Sequence, residues 1–69
     1  MNYAKAIKHG MELKGYRTQL QLTEASGVPN GVISELKLGK VKNPRHATLS
    51  KLAYSFDVRV SEFIKWGEE

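Results

Sequence analysis

Cysteine is absent from this chain of 69 residues. That excludes disulfides and the commonest zinc sites, which small domains often use to make up for a limited core. An economical helical core, self-association, or both must supply the stability instead. Long apolar runs are missing too. Lys5, Lys8, Glu12 and Lys14 interrupt the first fifteen residues, which speaks against a secretory signal or a membrane span. A soluble, cytoplasmic protein with no membrane partner is expected. Groups for catalysis are equally scarce: His9 and His46 are the two histidines, Asp57 is the single aspartate, and no glycine-rich phosphate loop occurs. Neither histidine sits in a metal-binding spacing. No enzymatic activity, metal, cofactor or small-molecule ligand is therefore expected. Internal repeats, low-complexity stretches and linkers are also lacking, so residues 1–69 are expected to form one domain.

Acidic residues are the minority charge. Eleven Lys and Arg oppose seven Asp and Glu, a net charge of +4. The excess is local: Lys37, Lys40, Lys42 and Arg45 follow one another with no acid between them, whereas the chain ends in Glu68-Glu69. Such a patch points to a polyanionic partner, nucleic acid before membrane.

Periodicity predicts an all-α chain of five short helices. In the first, Ala4, Ile7 and Met11 recur at helical spacing beside Tyr3, and Gly15 ends it. His9 and Gly10 weaken its centre, since an interior glycine costs about 1 kcal/mol relative to alanine. Thr18 is placed to cap the second helix, with Gln21 completing a capping box. Leu22 and Ser26 face inward there, flanked by Leu20 and Ala25, and Gly27 closes the helix. A third helix is expected from about Asn30 to Leu38, stopped by Gly39. Two helices joined through so short a glycine-containing turn are the sequence sign of a helix-turn-helix. Ile33 and Leu36 fall on one side of the third helix with Val32 beside them. Asn30, Gly31, Ser34, Glu35 and Leu38 gather on the other, a face of short polar groups suited to close approach.

Beyond the basic loop Lys40–Pro44, Thr48 or a neighbour is expected to cap a fourth helix with a buried stripe of Leu49, Leu52, Ala53 and Phe56. Asp57 to Val60 should connect it to a fifth, capped by Ser61 and carrying Phe63, Ile64 and Trp66.

Taken together, Thr18-Gln19, Leu22, Gly27-Val28, Ile33-Ser34, Leu36, Gly39-Lys40, Pro44, Leu49, Leu52-Ala53, Phe56, Val58 and Phe63 resemble the XRE-type family, the helix-turn-helix domains of phage Cro and repressor proteins. The resemblance spans Thr18 to Phe63, about two thirds of the chain, and the first helix is compatible with it. Three positions depart from the family pattern. Thr23 replaces a usual alanine, Pro29 a frequent Ser or Thr, and Lys37 a typical acid. Thr23's extra hydroxyl is expected to bond back to the helix backbone.

The resemblance implies a lambda repressor-like domain whose third helix enters the major groove of double-stranded DNA while the second crosses the backbone. On that basis Asn30, Gly31, Ser34 and Glu35 are candidate base readers. Asn30 suits adenine, Glu35 suits cytosine N4, and Gly31 lets the backbone approach. Gln19, at the start of the second helix, is the principal candidate for gripping phosphate. Lys40, Lys42, Asn43 and Arg45 would track the sugar-phosphate chain, joined by Arg17, Thr18 and Lys37. Val58, Arg59, Val60 and Trp66 match the region where relatives form dimers, which implies a weak homodimer strengthened on DNA. For Trp66, closing the core is an equal alternative.

A Cro-like repressor occupying a palindromic operator fits best, in a bacterial cell or in the host cell if phage-encoded. Restriction-modification controllers and antitoxins share the architecture. A helix-turn-helix surface reused to bind another protein is the remaining rival, since a fold alone does not prove DNA binding.

Overall fold

The computed structural model of the chain describes residues 2–68. Five helices follow in order: α1 Tyr3–Lys14, α2 Gln19–Ser26, α3 Asn30–Lys37, α4 His46–Ser55 and α5 Val60–Glu68. No strand occurs among the described residues.

The first two helices begin and end where their local chemistry dictates. The Asn2 side chain accepts from the Lys5 amide at 3.0 Å and so caps α1. The Thr18 hydroxyl accepts from the Gln21 amide at 3.2 Å, while the Gln21 side chain accepts from the Thr18 amide at the same distance. This reciprocal box satisfies donors that the first helical turn leaves free. Gly27 ends α2 in the left-handed region at φ 77.

α3 and α4 each finish in a turn that doubles the chain back. Gly39, at φ 75, lets the Lys40 amide reach the Glu35 carbonyl at 3.0 Å, and its own amide reaches Leu36 at 3.2 Å. At the end of α4 the left-handed position is held by Asp57, at φ 59, with Val58 bonded to Ala53 and Asp57 to Tyr54, both at 3.0 Å. These paired bonds satisfy terminal carbonyls that would otherwise go unpaired. Aspartate tolerates the left-handed region better than most side chains, which is why a non-glycine residue can stand there.

Two helix starts differ from expectation. Thr48 is not the cap of α4: its amide already bonds the Arg45 carbonyl at 3.0 Å, and the helix starts at His46. Arg45 holds the cap position with no side-chain hydrogen bond, so no polar cap marks this start in the sequence. Ser61 likewise lies inside α5. Val60 opens that helix, and the Arg59 carbonyl accepts from the Phe63 amide at 3.1 Å.

One core draws on all five helices. Ile7, Leu22, Ile33, Leu36, Leu49, Leu52, Ala53, Phe56 and Phe63 are buried, together with Ala6 and Val28. Ala4 is only half-buried, and in α2 Leu20 and Ala25 stand exposed instead of flanking the core. Around Phe56 an aromatic cluster forms: Tyr16, Phe63 and Trp66 lie with ring centroids 6.2, 5.8 and 6.1 Å away. The Tyr16 hydroxyl donates to the Ser55 carbonyl at 2.8 Å, tying the α1–α2 link to the end of α4.

Gly10 is the centre of the inward face of α1, not its weak point. A Cβ built on it would lie 2.6 Å from Phe56 ring carbons, so the bare helix backbone and the ring are in direct contact. α1 packs most extensively against α5, and the Asn2 amide bonds the Gly67 carbonyl at 3.1 Å.

Thr23 corrects another expectation. Its Oγ1 is buried with no hydrogen-bond partner, so the anticipated bond to the helix backbone is not made. Thr23→Ala removes an unpaired polar group and improves helix propensity. We expect it to raise unfolding free energy by about 1 kcal/mol. A melting temperature below that of the native chain would show that the methyl packing outweighs the orphaned hydroxyl.

Candidate nucleic-acid interface

Gln19, the first residue of α2, lies over one edge of α3. Its Nε2 is 2.7 Å from Asn30 Oδ1, 2.7 Å from Ser34 Oγ and 3.1 Å from the Asn30 carbonyl oxygen. An amide has two hydrogens to share among these three acceptors. On its other side, Lys37 Nζ donates to Gln19 Oε1 at 3.4 Å. Asn30, Ser34 and Lys37 are related by steps of four and three residues, so they form a single edge of the helix. One glutamine therefore touches each residue of that edge and couples the two helices of the helix-turn-helix.

This arrangement divides the polar face that the sequence suggests. At about 100° per residue, Asn30 and Ser34 belong to the edge beside Gln19, whereas Gly31, Glu35 and Leu38 occupy the open sector. Asn30, Gly31 and Glu35 are exposed and Ser34 is half-buried. The contact of Gln19 with Asn30 Oδ1 engages that oxygen and leaves the Nδ2 group as the donor end of the amide. Gln19's links to positions eleven and fifteen residues ahead leave no local signature, so sequence reading missed this clamp.

Gly31 has a clear structural status. Its φ is not positive, and a Cβ there would find no protein atom within 4 Å. Nothing in the protein itself requires glycine at this position. Gly31→Ala is therefore expected to stabilise the fold by up to about 1 kcal/mol, while weakening affinity for duplex DNA severalfold. Unchanged affinity would remove Gly31 from the contact surface.

The cations line the end of α3 and the loop beyond it. Lys37, Lys40, Lys42, Asn43 and Arg45 are all exposed. A groove between this loop and the start of α1 is lined by Asn2, Tyr3, Lys37, Gly39 and Lys42. Arg17 and Thr18 are exposed at the entry to α2, with their amides bonded to Gln21 Oε1. In the link after α4, Val58 and Val60 are half-buried and Arg59 is exposed. Half-buried Trp66 meets the His9 ring edge-on at 4.7 Å and packs on Phe56 and Phe63.

Among the described residues, no group of three His, Asp or Glu side chains could hold a metal ion. No helix among the described residues is long and apolar enough to cross a membrane.

The sequence pattern of the Cro/C1-type HTH DNA-binding domain matches residues 6–69. The chain belongs to that family. Comparison with curated proteins and with solved structures gave no match. The Cro/C1-type match extends beyond the Thr18–Phe63 segment that carries the resemblance, taking in most of α1 and all of α5. This Cro/C1-type chain is a DNA-binding regulator, and its family is typically non-enzymatic.

Proposed function

We propose that residues 1–69 form a single Cro-like repressor domain that binds a palindromic operator as a dimer and blocks a promoter by occupying it. The observation that carries this reading is the Gln19 clamp, which fixes Asn30 and Ser34 beside the open face of a helix flanked by Lys37 and Lys40. In this reading Asn30, Gly31, Ser34 and Glu35 face base edges in the major groove. Arg17, Thr18, Gln19, Lys37, Lys40, Lys42, Asn43 and Arg45 hold the backbone. Thr18 keeps its hydroxyl hydrogen free for phosphate, because its oxygen acts as the acceptor in the helix cap. Val58, Arg59, Val60 and the outer edge of Trp66 supply the dimer contact. Much of the Trp66 ring is already engaged within the chain, which fits a weak dimer that strengthens on DNA.

Titration into genomic duplex fragments at two salt concentrations, with sequencing of what is retained, tests this. A palindrome with half-sites about ten base pairs apart, bound more weakly at the higher salt, is the expected result. Lys42→Ala should reduce the magnitude of the salt slope by about two, one for each Lys42 of the dimer. No retention at low salt would overturn the DNA reading and turn attention to α3 as a protein-binding surface.

A further inference from the structure

We infer that Leu38 is a base-reading residue, making apolar contact with the 5-methyl group of a thymine at the far end of the α3 footprint. The inference rests on the reading of α3 as the helix that enters the major groove.

Leu38 is 69% exposed, more than either Leu13 or Leu20 at 61%. Single exposed leucines are ordinary on protein surfaces, so position must carry the argument. At about 100° per residue, Leu38 lies almost directly opposite the midpoint between the buried Ile33 and Leu36. It therefore occupies the middle of the outward sector, between the Asn30–Ser34 edge and Glu35. No other residue of that sector carries a large apolar side chain.

Its direction is fixed by the way α3 ends. Leu38 keeps right-handed helical geometry at φ −84 and ψ −4, and its amide bonds the Ser34 carbonyl at 3.0 Å. The bond from the Lys40 amide to the Glu35 carbonyl then locks the following turn. Leu38 thus projects from a hydrogen-bonded helix end.

From Asn30 to Leu38 the helix rises about 12 Å, the length of three to four base-pair steps. Lys37 and Lys40 flank Leu38 and favour a polyanion on this side. In the major groove, thymine is the base that presents a methyl group, and apolar side chains are its natural readers. A leucine here complements the polar readers one and two turns earlier.

The test starts from a random-sequence duplex library, retained separately by the native chain and by Leu38→Ala and sequenced. The native chain should enrich a site with thymine preferred at one position in each half. Leu38→Ala, and Leu38→Gln as a second variant, should enrich the same site without that one preference. Because the side chain is exposed, both variants should melt as the native chain does. Deoxyuridine, which lacks the methyl group, should then replace that thymine in a synthetic duplex carrying the enriched site. Affinity for the native chain should fall roughly fourfold for each methyl removed, the factor expected for one buried carbon-sized group. The variants should bind both duplexes alike. An enriched site with the thymine preference intact in the variants, or equal deoxyuridine losses in all three proteins, would overturn the role of Leu38 while leaving α3 as the reading helix. No enriched site for the native chain would overturn both.

Discussion

Gly10→Ala should lower the melting temperature by about 5–15 °C, although alanine is the better helix former. In an exposed helix interior the same change would gain about 1 kcal/mol. Here the new methyl meets Phe56 ring carbons at 2.6–2.7 Å, far inside contact distance. Phe56 is 2% exposed and is held by Tyr16, Phe63 and Trp66, so its ring cannot simply swing aside. Overpacking a close-fitted core costs about 1–3 kcal/mol, which exceeds the helical gain over most of that range. Contacts this short place the cost in the upper half of that range, so the net loss we expect is about 1–2 kcal/mol, and the sign is the test. Phe56→Leu in the Gly10→Ala background should recover part of the loss, so that the double variant is more stable than the two single losses add up to. A melting temperature above that of the native chain would mean that α1 and α4 are not in ring-to-backbone contact.

Gln19→Ala should weaken binding to the selected operator about ten- to hundredfold while changing the melting temperature little. The truncation removes both amide donors from Asn30 and Ser34 and the acceptor of Lys37 together. The clamp's bonds are mostly solvent-exposed, so water replaces them at little cost to the fold. The range corresponds to about 1.4–2.7 kcal/mol of DNA contacts weakened when Asn30 and Ser34 are no longer pre-positioned. The fold should be spared because the cap of α2 belongs to Thr18 and Gln21, not to Gln19. Discrimination should suffer as well as affinity. With Asn30 and Ser34 released, the ratio between operator and scrambled duplex should fall further than in Lys42→Ala, whose proposed phosphate contact would carry no base information. Gln19→Glu should be worse than Gln19→Ala, since a carboxylate would face three oxygen acceptors and a phosphate. Affinity within twofold of the native chain would show that the clamp does not serve recognition.

Local chemistry made much of this legible in the sequence. Thr18 with Gln21, and Gly15, Gly27 and Gly39, mark helix ends through hydrogen bonds and backbone angles set within a few residues. The stripe Leu49, Leu52, Ala53 and Phe56 marks burial by simple periodicity. Where local signals stop, so does the reading. Arginine is not a capping residue type, so Arg45 and Arg59 give no signal and the sequence points to Thr48 and Ser61 as helix starts, whereas α4 begins at His46 and α5 at Val60. Gly10 reads as a flaw until the ring lying against it is known. Thr23 looks able to bond its own helix, yet its hydroxyl is orphaned by the packing around it. The polar face of α3 was visible as a set of residues, but its division between a clamped edge and an open sector depends on Gln19, from another helix.

The bond from Asn2 to Gly67 joins the two ends of the described chain, and α1 with α5 forms its most extensive helix pair. That seam has the longest loop to close in the molecule and so bears a large entropic cost before its contacts are gained. α2 and α3 are close in sequence, whereas α1, which also packs on α3 and against Phe56, completes its largest contact only with α5. Loosening either terminal helix therefore exposes the face that supported the other. Amide exchange at the two ends should consequently slow and quicken together, the kinetic signature of a domain that opens from its seam as one unit.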